Sequence, residues 1–302
     1  MRRSSLNRLK IHALATVGSL AIGTFGNRSW THRGRRCRSF IVILAVGLLA
    51  PTSVPAVAAD DSPVIQVVGG TPVNNNTYPF VAALLNESWT TARSDFDKQF
   101  CGGSLIAENW VLTAAHCVDD GALPSTLSVL LGRTVLDSPA GEHFNVAEIV
   151  MHPGWDYETG LNYDVALVRL QGRSKVRPIR VATSLDSGYE QNGTMLTVAG
   201  WGNTLPNPGF RRSHRLRAVD IPVIGDEICR GAGSLWLCAG GTGKSACNGD
   251  SGGPLFATEP DGGIVQMASV SHGSYICDEG FGIYADLNDP DIRHFIALTA
   301  GV

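Results

Sequence analysis

Charge is scarce in this sequence. Asp, Glu, Lys and Arg make up 17% of its 302 residues against 44% hydrophobic, a balance that excludes an extended disordered chain. No Cys-x-x-Cys pair occurs, which removes the commonest frame for a structural zinc. The apolar run 40–50 is 11 residues, too short to span a bilayer. No internal repeat is visible, and convincing helical patterns are few. What remains is a chain with 35 glycines and many short apolar runs, long enough for one large domain or two small ones with ample core.

The charge that is present is unevenly placed. Of 24 basic and 27 acidic side chains, residues 1–66 hold nine and two. The remainder, with 15 and 25, carries a net charge of −10. An acidic body of this kind does not point to nucleic acid or an anionic membrane as partner. The basic N-terminal stretch ends in Arg33, Arg35, Arg36 and Arg38, then the apolar run 40–50, then small residues through Ala58 and Ala59. Basic, apolar, then small is the order of a secretory signal peptide, expected here over 1–59, and it predicts an extracellular protein without stable membrane association after its removal. Seven cysteines occur. Cys37 lies in the leader, and the other six, an even number, predict three disulfides in 15 conceivable pairings.

One stretch carries the chemistry: Cys247-Asn-Gly-Asp-Ser-Gly-Gly-Pro254. It is a glycine-rich turn around a single hydroxyl, Ser251, and such a turn can aim the N–H groups of Gly249 and Ser251 at one point, as an oxyanion hole requires. Serine is a weak nucleophile near neutral pH and needs a base and an orienter for that base. An ordinary glycine turn is the plain alternative, and it gives way only when such partners occur elsewhere. They do, in Leu112-Thr-Ala-Ala-His116-Cys117 and in Asp164-Val-Ala-Leu-Val-Arg-Leu170. With Val67-Val-Gly-Gly70 and Gly200-Trp-Gly202, these segments resemble the chymotrypsin/trypsin family of serine peptidases, in the family's order, from Val67 to the C-terminus.

The resemblance implies an all-β fold of two packed antiparallel six-stranded β-barrels with a short C-terminal helix. The expected divisions are a pro-segment 60–66, a first barrel within 67–177 and a second within 178–302. It implies Ser251 as nucleophile, His116 as general base and then acid, Asp164 as orienter, and Gly249 and Ser251 as oxyanion donors. It implies the pairings Cys101–Cys117, Cys229–Cys238 and Cys247–Cys277. It implies a cut before Val67 whose new amine pairs with Asp250, although Gln66 stands where the family has a basic residue. Ser271 is expected behind Asp164. The specificity pocket is expected to comprise Ser245 at its base, Ser271, and Gly273 and Gly282, which leave its walls open. Without a carboxylate at that base, a large apolar or aromatic side chain before the scissile bond is expected. Lys244 adjoins the base, and His272 and Phe281 replace the family's usual Trp and Pro. No cofactor is implied and no metal: Arg133 stands where calcium-binding relatives have their first carboxylate. Polypeptide substrates, protein inhibitors and a monomeric state complete the expectation.

The residues keep two rivals open. Gly249-x-Ser251-x-Gly253 also fits the nucleophile elbow of esterases, but that class places its acid and His after the Ser, and only 51 residues follow. A catalytically silent binding homologue would lack one of the three residues. Strands are predicted at 79–84, 103–106, 110–112, 127–131, 145–151, 196–201, 216–223, 236–239, 264–271 and 282–286, a surface loop at 86–100, and a short helix at 224–230. The clearest helix is last, capped by Asp289, with Pro290 in its first turn and Ile292, Phe295 and Ile296 on one face. Asn75, Asn86 and Asn192 begin glycosylation sequons.

Overall fold

The computed structural model describes residues 68–302 apart from 160–161, 206–210, 226–228, 230–234, 242, 275–276 and 278. After the two-residue strand β1 (Thr71–Pro72), the first six long strands are β2 (Val81–Asn86), β3 (Gln99–Ala107), β4 (Trp110–Thr113), β5 (Leu127–Leu131), β6 (Glu142–Met151) and β7 (Ala166–Leu170). They close into an antiparallel barrel in the order β2-β3-β4-β7-β6-β5. β2 and β5 are apolar and buried almost throughout, because neighbouring segments cover both faces. β6 lies at the solvent side and carries Glu142, Asn145 and Glu148 among its apolar residues.

The second set is β8 (Arg180–Val181), β9 (Met195–Gly200), β10 (Arg217–Ile224), β11 (Trp236–Ala239), β12 (Pro254–Thr258), β13 (Ile264–Gly273) and β14 (Gly282–Asp286). β9, β10, β11, β14, β13 and β12 close the second barrel through the β12–β9 ladder, with β1 and β8 added at its margins. Val198, Ile221, Leu255, Val265 and Tyr284 fill its core. The barrels meet over a shared apolar seam, where Phe80 and Phe256 pack edge to face at 5.6 Å and the Trp201 indole donates to Thr134 O at 3.2 Å. Helix α1 (Asp95–Lys98) is a single turn before β3, and the chain ends in helix α2 (Pro290–Ala300). The Asp289 carboxylate caps it by accepting from the Asp291 and Ile292 N–H groups, and Gly301 closes it in the left-handed conformation.

Two expectations need correction. Residues 86–100 are not all loop: they include the single-turn helix α1 (Asp95–Lys98), capped by Ser94, and the first residues of β3. β12 escaped the pattern reading because it follows directly on the glycine turn, its Pro254 reads as part of that turn, and proline is accepted in a sheet strand mainly as its first residue. The predicted helix at 224–230 begins on the last residue of β10 and otherwise lies largely outside the described residues. Disulfides join Cys101 to Cys117, Cys229 to Cys238 and Cys247 to Cys277.

Candidate active site

β4 ends at Thr113, and the chain turns through a 3-10 segment, Ala115–Cys117, that presents His116. The Cys117 disulfide to Cys101 in β3 restrains that turn. Asp164, 2% exposed, lies two residues before β7 and holds His116 twice. Its Oδ1 accepts from the His116 backbone N–H at 2.9 Å, and its Oδ2 lies 2.7 Å from His116 Nδ1. Ser271 Oγ donates to the same Oδ2 at 2.5 Å from the second barrel. Burial alone pulls the imidazole down and the carboxyl up. Their mutual hydrogen bond and charge outweigh it, so His116 titrates above its ordinary 6.5 and Asp164 below its ordinary 3.8.

Tyr163, immediately before Asp164, adopts φ 52°, a left-handed conformation that costs a bulky residue energy. Its ring stacks on His152 at 4.4 Å, and its hydroxyl donates to the Asp291 carboxylate at 3.2 Å. Helix α2 thus helps to fix the backbone that carries Asp164.

Ser251 enters the site from the glycine turn. Gly252 has φ 78°, and a Cβ there would come within 2.6 Å of Gly102 O, so no larger residue fits. The Gly102 N–H donates to Ser251 O at 2.7 Å, tying the turn to β3. The two carbonyls that precede the proposed oxyanion donors are held: Asn248 O accepts from Asn203 N–H at 2.7 Å, and Asp250 O from Gly253 N–H at 2.8 Å. In a trans peptide the N–H opposes the C=O, so both bonds orient the N–H groups of Gly249 and Ser251. The Gly249 carbonyl accepts from the side chain of Gln99, which is fully buried, at 2.9 Å. Arg212 donates to the Gln99 carbonyl and lies 3.2 Å from its Oε1. Sequence reasoning passed over Gln99, Asn203 and Arg212. These contacts reach across 45 to 150 residues, and no local motif marks them.

His116, Ser251, Ser245, Ser271, Gly273 and Gly282 all line one cleft of about 500 Å³. A second cavity of about 530 Å³ opens on the other side of His116 and Ser251, against Trp89, Phe100 and Leu127. In the first, the Ser245 hydroxyl donates to Cys277 O. Burial pushes the Tyr284 phenol well up, and it stays neutral beside the Ala246 backbone. Glu279 reaches the exposed rim. Lys244 is exposed and packs against Gly69 rather than lining the cleft.

Asp250 is fully buried. Its carboxylate accepts from Gly202 N–H at 2.7 Å and Cys247 N–H at 3.0 Å, and burial raises it from 3.8 to about 6. Val67 lies outside the described residues; Val68 is buried, and its carbonyl accepts from Ser245 N–H at 3.2 Å. Among the described residues, ligand atoms of Cys101, His116 and Cys117 cluster within 4.8 Å, but the two sulfurs are bonded to each other. The Arg133 guanidinium fills its own loop, donating to Ala140 O at 2.7 Å, Leu136 O at 2.9 Å and the Asp95 carboxylate at 2.5 Å. Among the described residues no helix is long and apolar enough to cross a membrane.

Two closed six-stranded barrels with a carboxylate-held imidazole and a serine hydroxyl on one cleft define the chymotrypsin-like class of serine peptidases. Comparison with known proteins agrees. The family model described as Trypsin matches residues 67–295. A trypsin of Saccharopolyspora erythraea is 35% identical over 63% of this chain and 81% of its own length. Human granzyme M is 32% identical over 81% and 90%, and serine protease 1 of Rattus norvegicus 34% over 66% and 78%. The chain belongs to the trypsin family and is a serine endopeptidase, a hydrolase acting on polypeptides.

Proposed function

We propose that hydrolysis runs through an acyl-enzyme on Ser251. Ser251 Oγ bonds to the scissile carbonyl carbon while its proton passes to His116 Nε2, and the carbonyl electron pair moves onto oxygen. The N–H groups of Gly249 and Ser251 stabilise that oxyanion. His116 then gives its proton to the leaving nitrogen as the C–N bond breaks, and water repeats the sequence to free the acid. Asp164 keeps the imidazole oriented and stabilises its charged form without taking the proton. The observation that carries this reading is the 2.7 Å contact between His116 Nδ1 and Asp164 beside a cleft that Ser251 also lines. It turns the other imidazole nitrogen away from Asp164 and makes it available to a hydroxyl.

The pocket reading favours a large apolar or aromatic side chain before the scissile bond. At the base, the Ser245 hydroxyl is engaged by Cys277 O and Tyr284 is neutral. Among the described residues a buried substrate Arg or Lys would meet no countercharge at that base. Glu279 is at the rim, in water, where its charge is screened. Activation by a cut before Val67 is supported by the buried approach of Val68 and by Asp250, whose buried carboxylate accepts from two backbone N–H groups and, among the described residues, meets no cation. The leader, the division into a pro-segment and two barrel units, export, the monomeric state and recognition by protein inhibitors remain part of the proposal. They rest on the N-terminal pattern and the family.

The deciding experiment is labelling with a fluorophosphonate, followed by turnover of peptide substrates with Phe, Leu, Arg or Glu before the cut. The expected result is stoichiometric labelling that Ser251→Ala abolishes, with fastest turnover on Phe or Leu. Labelling that survives Ser251→Ala rejects the nucleophile; fastest turnover on Arg rejects the pocket.

A further inference from the structure

β13 pairs with β14 across a register shift between Val270 and His272. A bulge interrupts the alternation of side chains, so two consecutive residues can reach one side of the sheet. Here it brings His272 Nδ1 within 3.1 Å of Ser271 Oγ. The Ser271 hydroxyl has a single hydrogen, and an ionised carboxylate can only accept. Since Ser271 Oγ lies 2.5 Å from Asp164 Oδ2, that hydrogen goes to Asp164. Ser271 must therefore accept from His272, whose proton sits on Nδ1 in the neutral ring. The order is His272 Nδ1–H to Ser271 Oγ–H to Asp164 Oδ2, with His116 Nδ1 on the same oxygen 2.7 Å away. Two imidazoles thus lean on one carboxylate, one directly and one through a hydroxyl. The Trp236 ring, edge-on at 5.4 Å, holds the His272 ring in place.

We propose that His272 is a positioning residue wired to His116 through Ser271 and Asp164, and that the two histidines titrate as a coupled pair on one carboxylate. This rests on the reading of His116 as the base. Among the described residues the charges that act on His272 are Asp164 and His116, while Glu279 at the exposed rim and the buried neutral Tyr284 line the same cleft; Trp236 adds no charge. Burial lowers His272 and the His116 cation lowers it further, while Asp164 opposes both. The first proton taken up on acidification therefore goes to His116 and the second to His272. Donation by His272 also polarises the Ser271 hydroxyl and draws charge from Asp164, which weakens the hold of Asp164 on the His116 cation.

The test uses ring-proton NMR titration of both histidines and the pH profile of kcat/KM, in the activated protein and in two variants. His272→Asn keeps an N–H where Nδ1 stood but takes no proton; His272→Phe loses both functions. In the parent protein, the fall of log kcat/KM should depart from a single one-proton curve with a second inflection at the His272 midpoint, and in both variants it should follow one such curve. The His116 midpoint should be unchanged in His272→Asn and rise in His272→Phe by about half a pH unit. In His116→Gln the His272 midpoint should rise, because the competing cation is gone. A His272 midpoint that ignores His116→Gln, or a His116 midpoint that is the same in all three proteins, overturns the coupling. The titrations read it even in a protein that turns nothing over, and absent turnover and labelling would instead count against His116 as base.

Discussion

Asp164 makes three contacts in a nearly water-free position, and two of them hold His116, one at its backbone N–H and one at its imidazole. Replacing it by an amide keeps the shape but removes the charge that fixes the His116 tautomer. Asp164→Asn should lower kcat by about 10⁴-fold, the loss a triad of this family shows on the same change, with fluorophosphonate labelling slowed in parallel. The sign of the pH effect follows from the same contact. In the proposed mechanism His116 must be neutral to accept the Ser251 proton, and Asp164 raises its titration above 6.5. Activity should therefore fall on the acid side around a midpoint above 6.5, and a kcat/KM profile measures it. These three residues were legible in the sequence because short motifs surround each of them. His272 was visible only as a departure from the usual Trp. Its contact with Ser271 depends on a bulge, which has no reliable local signature.

At the scale of elements, the glycine turn between β11 and β12 is shaped by segments distant from it. The Gln99 side chain spans Gly249 O at 2.9 Å and Cys101 O at 3.2 Å, while Arg212 holds Gln99 from outside and places its guanidinium over the Phe96 ring at 4.7 Å. Gln99→Ala should release the peptide after Gly249 and misalign the oxyanion donors. A displacement of that kind costs up to about 10²-fold in kcat, with KM little changed, as steady-state kinetics on a Phe substrate would register. Equal losses in kcat and in folding stability, without a kinetic split, would mark Gln99 as scaffolding alone. The strands were readable wherever apolar runs were bounded by turn residues. β12 and α1 were not, since proline obscured one and a single polar turn the other.

For the molecule as a whole, the question is what a buried Asp250 does before and after a cut at Val67. Its folded value of about 6 exceeds its ordinary 3.8. A raised carboxyl contributes stability that is fully present below the unfolded value and is lost as pH rises through the folded one. In a chain that begins at Asp60, carrying Ser251→Ala to prevent self-digestion, that loss should amount to about 2 kcal/mol between pH 4 and pH 7. A chain beginning at Val67 should lose much less, because an ammonium group would offset the buried charge. Denaturant midpoints against pH compare the two, and coincident profiles would remove the activation pair.

The sequence by itself determined the family and most of the barrel strands, and singled out His116, Asp164 and Ser251 as candidates, because each is written in contiguous residues whose spacing carries local physics. Tertiary structure alone decided that Ser271 reaches Asp164, that Gln99 and Arg212 brace the glycine turn, that Arg133 fills its loop, and that Lys244 packs against Gly69 and not along the cleft. The reason is physical: most of these contacts join barrel segments far apart along the chain, and Lys244 and Arg133 take their directions from the packing around them. Their geometry exists only once both sheets have closed.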